Sequence, residues 1–226
     1  MLRFSMSSPV VLLDLDGTVI DSQPGILMSC RAALRALGHV PEPSLDLSAF
    51  IGPPIENAMR FLLEPFGDDR VAEAVAAYRE DYGRNGLYHS VPYAGIEQAL
   101  GEIRQSGARL YLATSKRTRF ALRILEHLNL VSLFDAICGS EDGGALDHKP
   151  ELIAHIMEQH ALAPSRCIMV GDRGYDVVGA HTNKLRALAV LWGYGTREEL
   201  ESAGADEFVA EPAGLAASVL AMTASA

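Results

Sequence analysis

Short apolar runs, rich in β-branched residues, alternate with longer helical patterns along most of the chain, and this alternation limits the possible folds more than any other feature. The candidate strands cover residues 10–13, 109–113, 134–138, 166–170, 185–191 and 207–209. Helical patterns separate most of them, over residues 96–105, 117–129, 150–160 and 175–183. This order predicts an α/β fold in which a parallel sheet is covered by helices on both faces.

The stretch from about residue 22 to residue 90 breaks this rhythm, because its patterns are helical only, over residues 26–37, 55–66 and 69–82. Three glycines directly follow these patterns, where the end of a helix favours a residue in the left-handed conformation; they are Gly38, Gly67 and Gly83. We therefore predict two domains. An α/β core is formed by residues 1–21 and 91–226, and a small all-helical domain is formed by residues 22–90.

The chain is acidic, with 29 Asp and Glu against 19 Lys and Arg and a formal net charge of −10, and its cations form no stripe. Binding to a nucleic-acid backbone needs clustered cations and is therefore disfavoured. Three widely spaced cysteines make no disulfide framework and fit a reducing cytoplasm. No apolar run reaches the length of a membrane span. We expect a cytoplasmic monomer or homodimer that has neither nucleic acid nor a membrane as a partner.

The first motif, DLDGT at residues 14–18, directly follows the first candidate strand. Side chains two positions apart on extended backbone share a side, so the carboxylates of Asp14 and Asp16 are expected to face the same space. Ligands of open α/β sheets bind at this end of the strands. A solvated turn at the end of a strand is the alternative. An EF-hand calcium loop is excluded, because its sixth and twelfth positions would hold Val19 and Gly25.

Two further signals could hold an anion. Thr114, Ser115 and Lys116 follow the candidate strand 109–113, and a hydroxyl with free backbone amides at the start of a helix is a natural phosphate cradle. Thr114 as an ordinary helix N-cap is the alternative. Lys149 stands before Pro150 at the start of the next helical pattern. It could neutralise a phosphate oxygen, although a single lysine is more often a surface residue.

The last motif, GDRGYD at residues 171–176, places Asp172 and Asp176 after another candidate strand. Alone, this spacing means little. Three strands that each end in an acid or a hydroxyl, with a lysine before the last, are much harder to explain as chance. Acids around a hard cation, combined with a hydroxyl, amides and a lysine for an anion, predict a site for Mg²⁺ and phosphate.

The four motifs together resemble those of the haloacid dehalogenase (HAD) superfamily: DLDGT at residues 14–18, TSK at 114–116, Lys149, and GDRGYD at 171–176. The resemblance covers essentially the whole chain, including the helical insert. It implies a Rossmann-like core with a helical cap domain. Within the superfamily the chain resembles the group of phosphoglycolate phosphatases and 5′-nucleotidase-like enzymes. Such an enzyme is a phosphoric monoester hydrolase that uses Mg²⁺ and acts on a small soluble phosphomonoester.

The resemblance also implies roles for individual residues. Asp14 would be the nucleophile that forms an aspartyl-phosphate, with its second oxygen on Mg²⁺. Asp16 would protonate the leaving alkoxide and then activate the hydrolytic water, while its main-chain carbonyl binds the metal. Asp172 would ligate the metal directly or through water, supported by Asp176. The side chains expected to hold the phosphoryl oxygens are those of Thr114, Ser115 and Lys149.

The second acid of the first motif separates the branches of the superfamily. Dehalogenases lack a carboxylate at the position of Asp16, because they have no leaving alkoxide to protonate. A phosphomutase needs both acids and stays an alternative, although Thr18 stands where mutases similar to β-phosphoglucomutase usually carry Val. A non-catalytic protein that binds phosphate or metal on the same scaffold is the other alternative.

Segments outside the four motifs bear on the substrate. GSEDG at residues 139–143, and WGYG at 192–195 with EEL at 198–200, resemble the 5′-nucleotidase-like subgroup and favour a nucleotide over phosphoglycolate. FIGPP at residues 50–54 is expected to form either a cap loop that faces the substrate or a plain turn before a helix. Arg173 adds a cation to the last motif, and the sequence suggests no role for it.

Overall fold

The computed structural model describes residues 8–41, 51, 54–141 and 146–224. Most of the predicted cap loop at residues 50–54, and the second half of GSEDG, lie outside these described residues. The chain divides into two compact units, of which the first comprises Met1–Ile20 and Pro92–Ala226 and the second comprises Asp21–Val91.

Eight strands lie in the described residues. In chain order they are β1 (Val10–Leu13), β2 (Ile20–Asp21), β3 (Val91–Pro92), β4 (Arg109–Arg117), β5 (Ala136–Ser140), β6 (Cys167–Gly171), β7 (Arg186–Val190) and β8 (Glu207–Val209). Six of them form one sheet in the order β5-β4-β1-β6-β7-β8, and every pair in it is parallel. The short strands β2 and β3 pair only with each other. The predicted α/β fold with a parallel sheet is confirmed.

The helices of the described residues follow the predicted patterns closely. They are α1 (Gln23–Ala36), α2 (Ile55–Leu63), α3 (Val71–Arg84), α4 (Ile96–Gln105), α5 (Thr118–His127), α6 (Lys149–Gln159), α7 (Gly174–Thr182), α8 (Arg197–Ser202) and α9 (Leu215–Ala224). Of these, α1 to α3 belong to the second unit and the others to the first. The six-residue helix α8 has no counterpart among the predicted patterns.

The alternating side chains of β1 explain why it lies in the middle of the sheet. Val10 and Leu12 pack into a core with side chains of α6 and α7, so Val11 and Leu13 point to the opposite face. All four are buried. Burying a large aliphatic side chain contributes about 1.5–3 kcal/mol, so a wholly apolar strand is stable only with cover on both faces.

In the second unit, α1 packs against α3 and against the turn that follows α3. Gly38 (φ 89°) and Gly67 (φ 61°) are left-handed, as predicted for helix ends. The same prediction for Gly83 is wrong, because α3 continues through it to Arg84. The helix can continue because the N–H of Asn85 still donates to the Asp81 carbonyl at 2.8 Å.

Substitution by alanine is expected to change the free energy of unfolding in opposite directions at two helical glycines. A Cβ atom on Gly25 of α1 would lie 2.0 Å from the Gly86 carbonyl oxygen, whereas one on Gly101 of α4 would meet no atom within 4 Å. We expect Gly25→Ala to lower the free energy of unfolding by about 1–3 kcal/mol through overpacking. Gly101→Ala should raise it by about 0.5–1 kcal/mol, because alanine favours the helix. Urea unfolding of both variants measures the difference, and equal stability of Gly25→Ala and the unchanged protein would contradict the close contact.

Candidate active site

The sheet order brings three of the predicted motifs together. Since β1 lies between β4 and β6, the carboxyl ends of these three strands share one edge of the sheet; the first and last motifs follow their strands there, and TSK lies at the end of β4. The N–H of Asp14 donates to the Val170 carbonyl at 2.9 Å, which ties the first motif to the end of β6. Asp14 and Asp16 are both buried. The acids therefore lie at the carboxyl ends of parallel strands, where the sequence predicted them.

Lys149 joins the first motif to the last. Its side chain is buried, and its Nζ lies 2.7 Å from Asp14 Oδ1 and 2.8 Å from Asp176 Oδ1. The same ammonium donates to the Ala113 carbonyl at 2.6 Å. Lys149 is the first residue of α6, and Pro150 follows it at a position where proline suits the first helical turn. The alternative of a surface lysine is therefore excluded.

Asp172 is held by contacts to both of its oxygens. Thr18 Oγ1 donates to Oδ1 at 3.3 Å, and the N–H of Tyr194 donates to Oδ2 at 2.7 Å. Gly17 lies so close that a Cβ atom there would be 2.2 Å from Oδ2, and its φ is 85°. Glycine is therefore required in DLDGT both for the turn and for the space that Asp172 occupies.

The electrostatics show that this cluster lacks positive charge. Burial raises the pKa of Asp14 to about 6, although the Lys149 ammonium opposes this rise. Burial, together with the charges of Asp176 and Asp14, raises the pKa of Asp172 well above its usual range. Burial also opposes the charge of Lys149, but Asp14 and Asp176 outweigh it and raise the pKa of the lysine to about 12. Lys149 therefore stays an ammonium, and this one positive charge is shared between the carboxylates of Asp14 and Asp176.

The same acids fit a metal ion. Asp14, Asp172 and Asp176 are buried and offer oxygen atoms that all lie within 4.8 Å of one another. Oδ1 of Asp176 is buried and, among the residues that the structure describes, accepts no well-aligned hydrogen bond despite its closeness to Lys149. When all three acids are ionised, Lys149 leaves two negative charges uncompensated. A hard divalent cation with oxygen ligands would supply that charge, so the residues present fit the group that the resemblance implies.

The structure gives Asp176 and Asp16 different surroundings. Asp176 offers a carboxylate oxygen to the same buried cluster as Asp14 and Asp172, and its supporting role stays a prediction. The Asp16 carboxylate instead forms an ion pair with Lys116, whose Nζ lies 2.9 Å from Oδ2. Oδ1 of Asp16 is buried and accepts no hydrogen bond within the described residues. Metal binding through the Asp16 carbonyl stays a prediction.

The TSK motif lies on strand rather than at the start of a helix. β4 continues to Arg117 because it stays paired with β5 across a register shift, and α5 begins only at Thr118. The predicted placement of this motif at the start of a helix is therefore wrong, as is the alternative of Thr114 as a helix N-cap, while phosphate binding by Thr114 and Ser115 stays a prediction. Thr114 is buried, and its Oγ1 accepts a hydrogen bond from the N–H of Lys116 at 3.2 Å. Ser115 is half-buried, and its carbonyl accepts a hydrogen bond from Ser140 Oγ.

Sequence reasoning assigned no role to Lys116 and left the WGYG segment without a structural role. Lys116 follows Thr114 by two positions on extended backbone, so the same alternation that paired Asp14 with Asp16 could have placed both side chains on one side. The WGYG segment contacts the first and last motifs, through Trp192 Nε1 to the Thr18 carbonyl at 3.0 Å and through Tyr194 to Asp172. Its two glycines were the available signal for a close approach of backbone.

The described helices include none with both the length and the apolar character that a membrane crossing requires.

Comparison with known proteins relates this geometry to a family. The family described as haloacid dehalogenase-like hydrolase matches residues 11–190. A 5′-nucleotidase of Pseudomonas aeruginosa is 39% identical over 210 residues, covering 92% of this chain and 93% of that protein. The tyrosine-protein kinase PtkA of Mycobacterium tuberculosis is 38% identical, and the match covers 86% of this chain and 66% of PtkA. A phosphoglycolate phosphatase of Aquifex aeolicus is 29% identical, covering 82% and 85%.

Among solved structures, the crystal structure of a predicted phosphatase from Clostridium acetobutylicum superposes with a TM-score of 0.87. It is 36% identical in sequence, and the match covers 95% of this chain and 99% of that one. The relatives named 5′-nucleotidase and phosphoglycolate phosphatase agree with the predicted enzyme class of phosphoric monoester hydrolases. The family match extends over well more than half of the chain and includes all four motifs, and so this protein belongs to the haloacid dehalogenase-like hydrolases.

Proposed function

We propose that this protein is a Mg²⁺-dependent phosphatase that hydrolyses a small soluble phosphomonoester through an aspartyl-phosphate on Asp14. The observation that carries the proposal is the convergence of Lys149, Asp172 and Asp176 on Asp14 in one buried cluster. A carboxylate attacks a phosphate dianion only when the repulsion between the two is offset. Lys149 beside the nucleophile would provide part of that offset, and a bound divalent cation would provide the rest.

In the first step, one Asp14 oxygen attacks the phosphorus and forms an O–P bond, while the bond from phosphorus to the ester oxygen breaks. Asp16 donates its proton to the leaving alkoxide. In the second step, Asp16 takes a proton from water, which attacks the same phosphorus and breaks the bond to Asp14. Inorganic phosphate and free Asp14 result, so one acid serves as general acid and then as general base.

The remaining residues of the site hold charge and position. Thr114, Ser115 and Lys149 bind the phosphoryl oxygens in this proposal. The contact between the Lys149 ammonium and Asp14 supports this role for the lysine. Asp14, Asp172 and the Asp16 carbonyl hold Mg²⁺, with Asp176 in support. When bound, the metal neutralises phosphoryl charge and aligns phosphorus with the nucleophile. Lys116 forms an ion pair with the Asp16 carboxylate at 2.9 Å and so holds its side chain in place.

A 5′-nucleotide is the substrate class that we propose first, and a phosphoglycolate-type ester second. The WGYG and EEL segments resemble the nucleotidase-like subgroup, and the relative from Pseudomonas aeruginosa carries the name 5′-nucleotidase. A phosphomutase of the same superfamily, or a non-catalytic protein that binds phosphate or metal, remains an alternative. Because one relative is named as a tyrosine-protein kinase, assays should also test protein tyrosine as an acceptor of the phosphoryl group.

The division of the chain into a catalytic core (residues 1–21 and 91–226) and a cap domain (residues 22–90) is part of this proposal. It is supported by the two compact units and by the helical content of the second one. All residues assigned to phosphoryl transfer belong to the core. We propose that the cap acts on the choice of leaving group and on the exclusion of water.

Removal of metal tests the proposal. Hydrolysis of p-nitrophenyl phosphate and of a panel with nucleotides and phosphoglycolate should stop in chelator and return with Mg²⁺, whereas Ca²⁺ should inhibit. Calcium prefers longer bonds and higher coordination, which would displace Asp14 from the phosphorus. Full activity in chelator would contradict the metal. Failure to hydrolyse any ester in Mg²⁺ would contradict a phosphatase, and isomerisation of a sugar phosphate would identify a mutase.

A further inference from the structure

The segment after β7 packs unusually closely against the turn that carries Asp172. A Cβ atom on Gly193 would lie 2.4 Å from Asp172 Oδ2, and one on Gly195 would lie 1.9 Å from the Asp172 carbonyl oxygen. Neither glycine is among the positive-φ residues of the described chain. Glycine is therefore needed at both positions for space and not for torsion.

The helix that follows this segment places a carboxylate on the same turn. Thr196 caps α8 by accepting a hydrogen bond from the N–H of Glu199 at 3.1 Å. Oε1 of Glu199 accepts from the N–H of Gly174 at 2.7 Å and from Arg173 Nε at 3.0 Å. One carboxylate thus holds both the first N–H of α7 and the side chain of the residue next to Asp172.

Arg173 connects this contact to the acids of the cluster. Its own N–H donates to Asp176 Oδ2 at 3.1 Å, and its backbone directly follows Asp172. Its guanidinium lies 5.1 Å from the ring centre of Tyr175. Any movement of the Arg173 backbone would therefore displace Asp172 and Asp176 together.

We propose that Glu199 and Arg173 are positioning residues that fix the turn between β6 and α7, so that Asp172 and Asp176 are pre-arranged for a divalent cation. This inference rests on the proposed function. The cation of Arg173, for which the sequence suggested no role, then acts together with the WGYG and EEL segments to hold this turn. Removing a residue that holds a metal ligand in place typically weakens metal binding by about 10–100-fold.

Thermal unfolding of the full chain with Mg²⁺ alone as the probe tests the inference. The melting temperature in chelator reports the stability of the fold, and its rise with Mg²⁺ concentration reports the dissociation constant. We expect Glu199→Gln to raise the Mg²⁺ dissociation constant by about 10–100-fold. The melting temperature in chelator should change only slightly. Glu198→Gln is the matched control, because Glu198 is an exposed residue of the same helix and carries the same charge.

The single variant Arg173→Lys covers the case in which Glu199→Gln does not fold, and the double variant tests whether the two residues act together. Arg173→Lys keeps the charge but loses the guanidinium N–H that meets Glu199, so it should also weaken Mg²⁺ binding by about tenfold or more. Because the two residues act through one contact, the double variant Arg173→Lys with Glu199→Gln should bind Mg²⁺ no more weakly than the worse single variant.

The outcomes separate this inference from the proposed function. A lower melting temperature in chelator with an unchanged Mg²⁺ dissociation constant would overturn the inference, since the pair would then only stabilise the fold. Additive losses in the double variant would also overturn it. Absence of any Mg²⁺-dependent shift in the unchanged protein would instead contradict the metal of the proposed function, and this inference with it.

Discussion

Asp14→Asn is expected to lower turnover by roughly four orders of magnitude or more while leaving the fold intact. An amide oxygen cannot form the aspartyl-phosphate, so the two-step route is lost rather than slowed. The amide can still accept the hydrogen bond that Lys149 donates at 2.7 Å, and its size matches the carboxylate. The measurement is the kcat for p-nitrophenyl phosphate in Mg²⁺, with Asp69→Asn as a control at an exposed acid of the second unit.

The stability of this variant gives an independent check with a definite sign. Burial raises the pKa of Asp14 from its usual 3.8 to about 6, so the folded state prefers the protonated acid. That preference stabilises the fold below pH 4 and is lost as the pH rises through about 6. In chelator at pH 7, Asp14→Asn should therefore be at least as stable as the unchanged protein. Near-normal turnover in a folded variant would contradict Asp14 as the nucleophile.

Lys149→Met should damage both activity and stability. The substitution leaves Asp14 and Asp176 buried without their shared cation. Removing one partner of a buried ion pair typically costs about 3–5 kcal/mol, and we expect a loss of that size in the free energy of unfolding in chelator at pH 7. Turnover should fall to the background rate, because the phosphoryl group loses a cation as well.

The pH dependence distinguishes an unpaired charge from a simple packing defect. At pH 5 Asp14 is largely protonated in the folded protein, since its pKa is about 6 and removal of the Lys149 charge raises that pKa further; the deficit of Lys149→Met should therefore shrink. Urea unfolding at both pH values measures this change. Lys184→Met, at an exposed lysine in a turn, controls for the loss of one positive charge. An equal deficit at pH 5 and pH 7 would contradict the ion-pair explanation.

Local patterns predicted the elements that depend on local chemistry. The bounds of β1, β8 and α4 are those predicted, because apolar periodicity and flanking turn residues define them. The closeness of the motifs in space could also be predicted, since parallel strands bring their carboxyl ends to one edge of the sheet. The extension of β4 to Arg117 was missed, because it depends on pairing with β5 and not on the residues of β4 alone.

Contacts over long sequence distances limited what could be predicted for the site. Lys149 was expected near phosphate, but its contact with Asp176 depends on how α6 packs beside α7. The contact between Arg173 and Glu199 joins residues 26 positions apart on two separate elements. No periodicity encodes such a contact, so the charge of Arg173 stayed unexplained until both elements were placed.

The position of β1 has a consequence for the synthesis of the chain. Its partners are β4, which starts at Arg109, and β6, which starts at Cys167. At about 5–20 residues per second, a ribosome needs roughly 8–30 s to go from the end of β1 to the start of β6. The helical unit Asp21–Val91 has all its own residues well before then. During translation, the apolar strand VVLL therefore lacks its second neighbour until the chain has been made as far as Cys167.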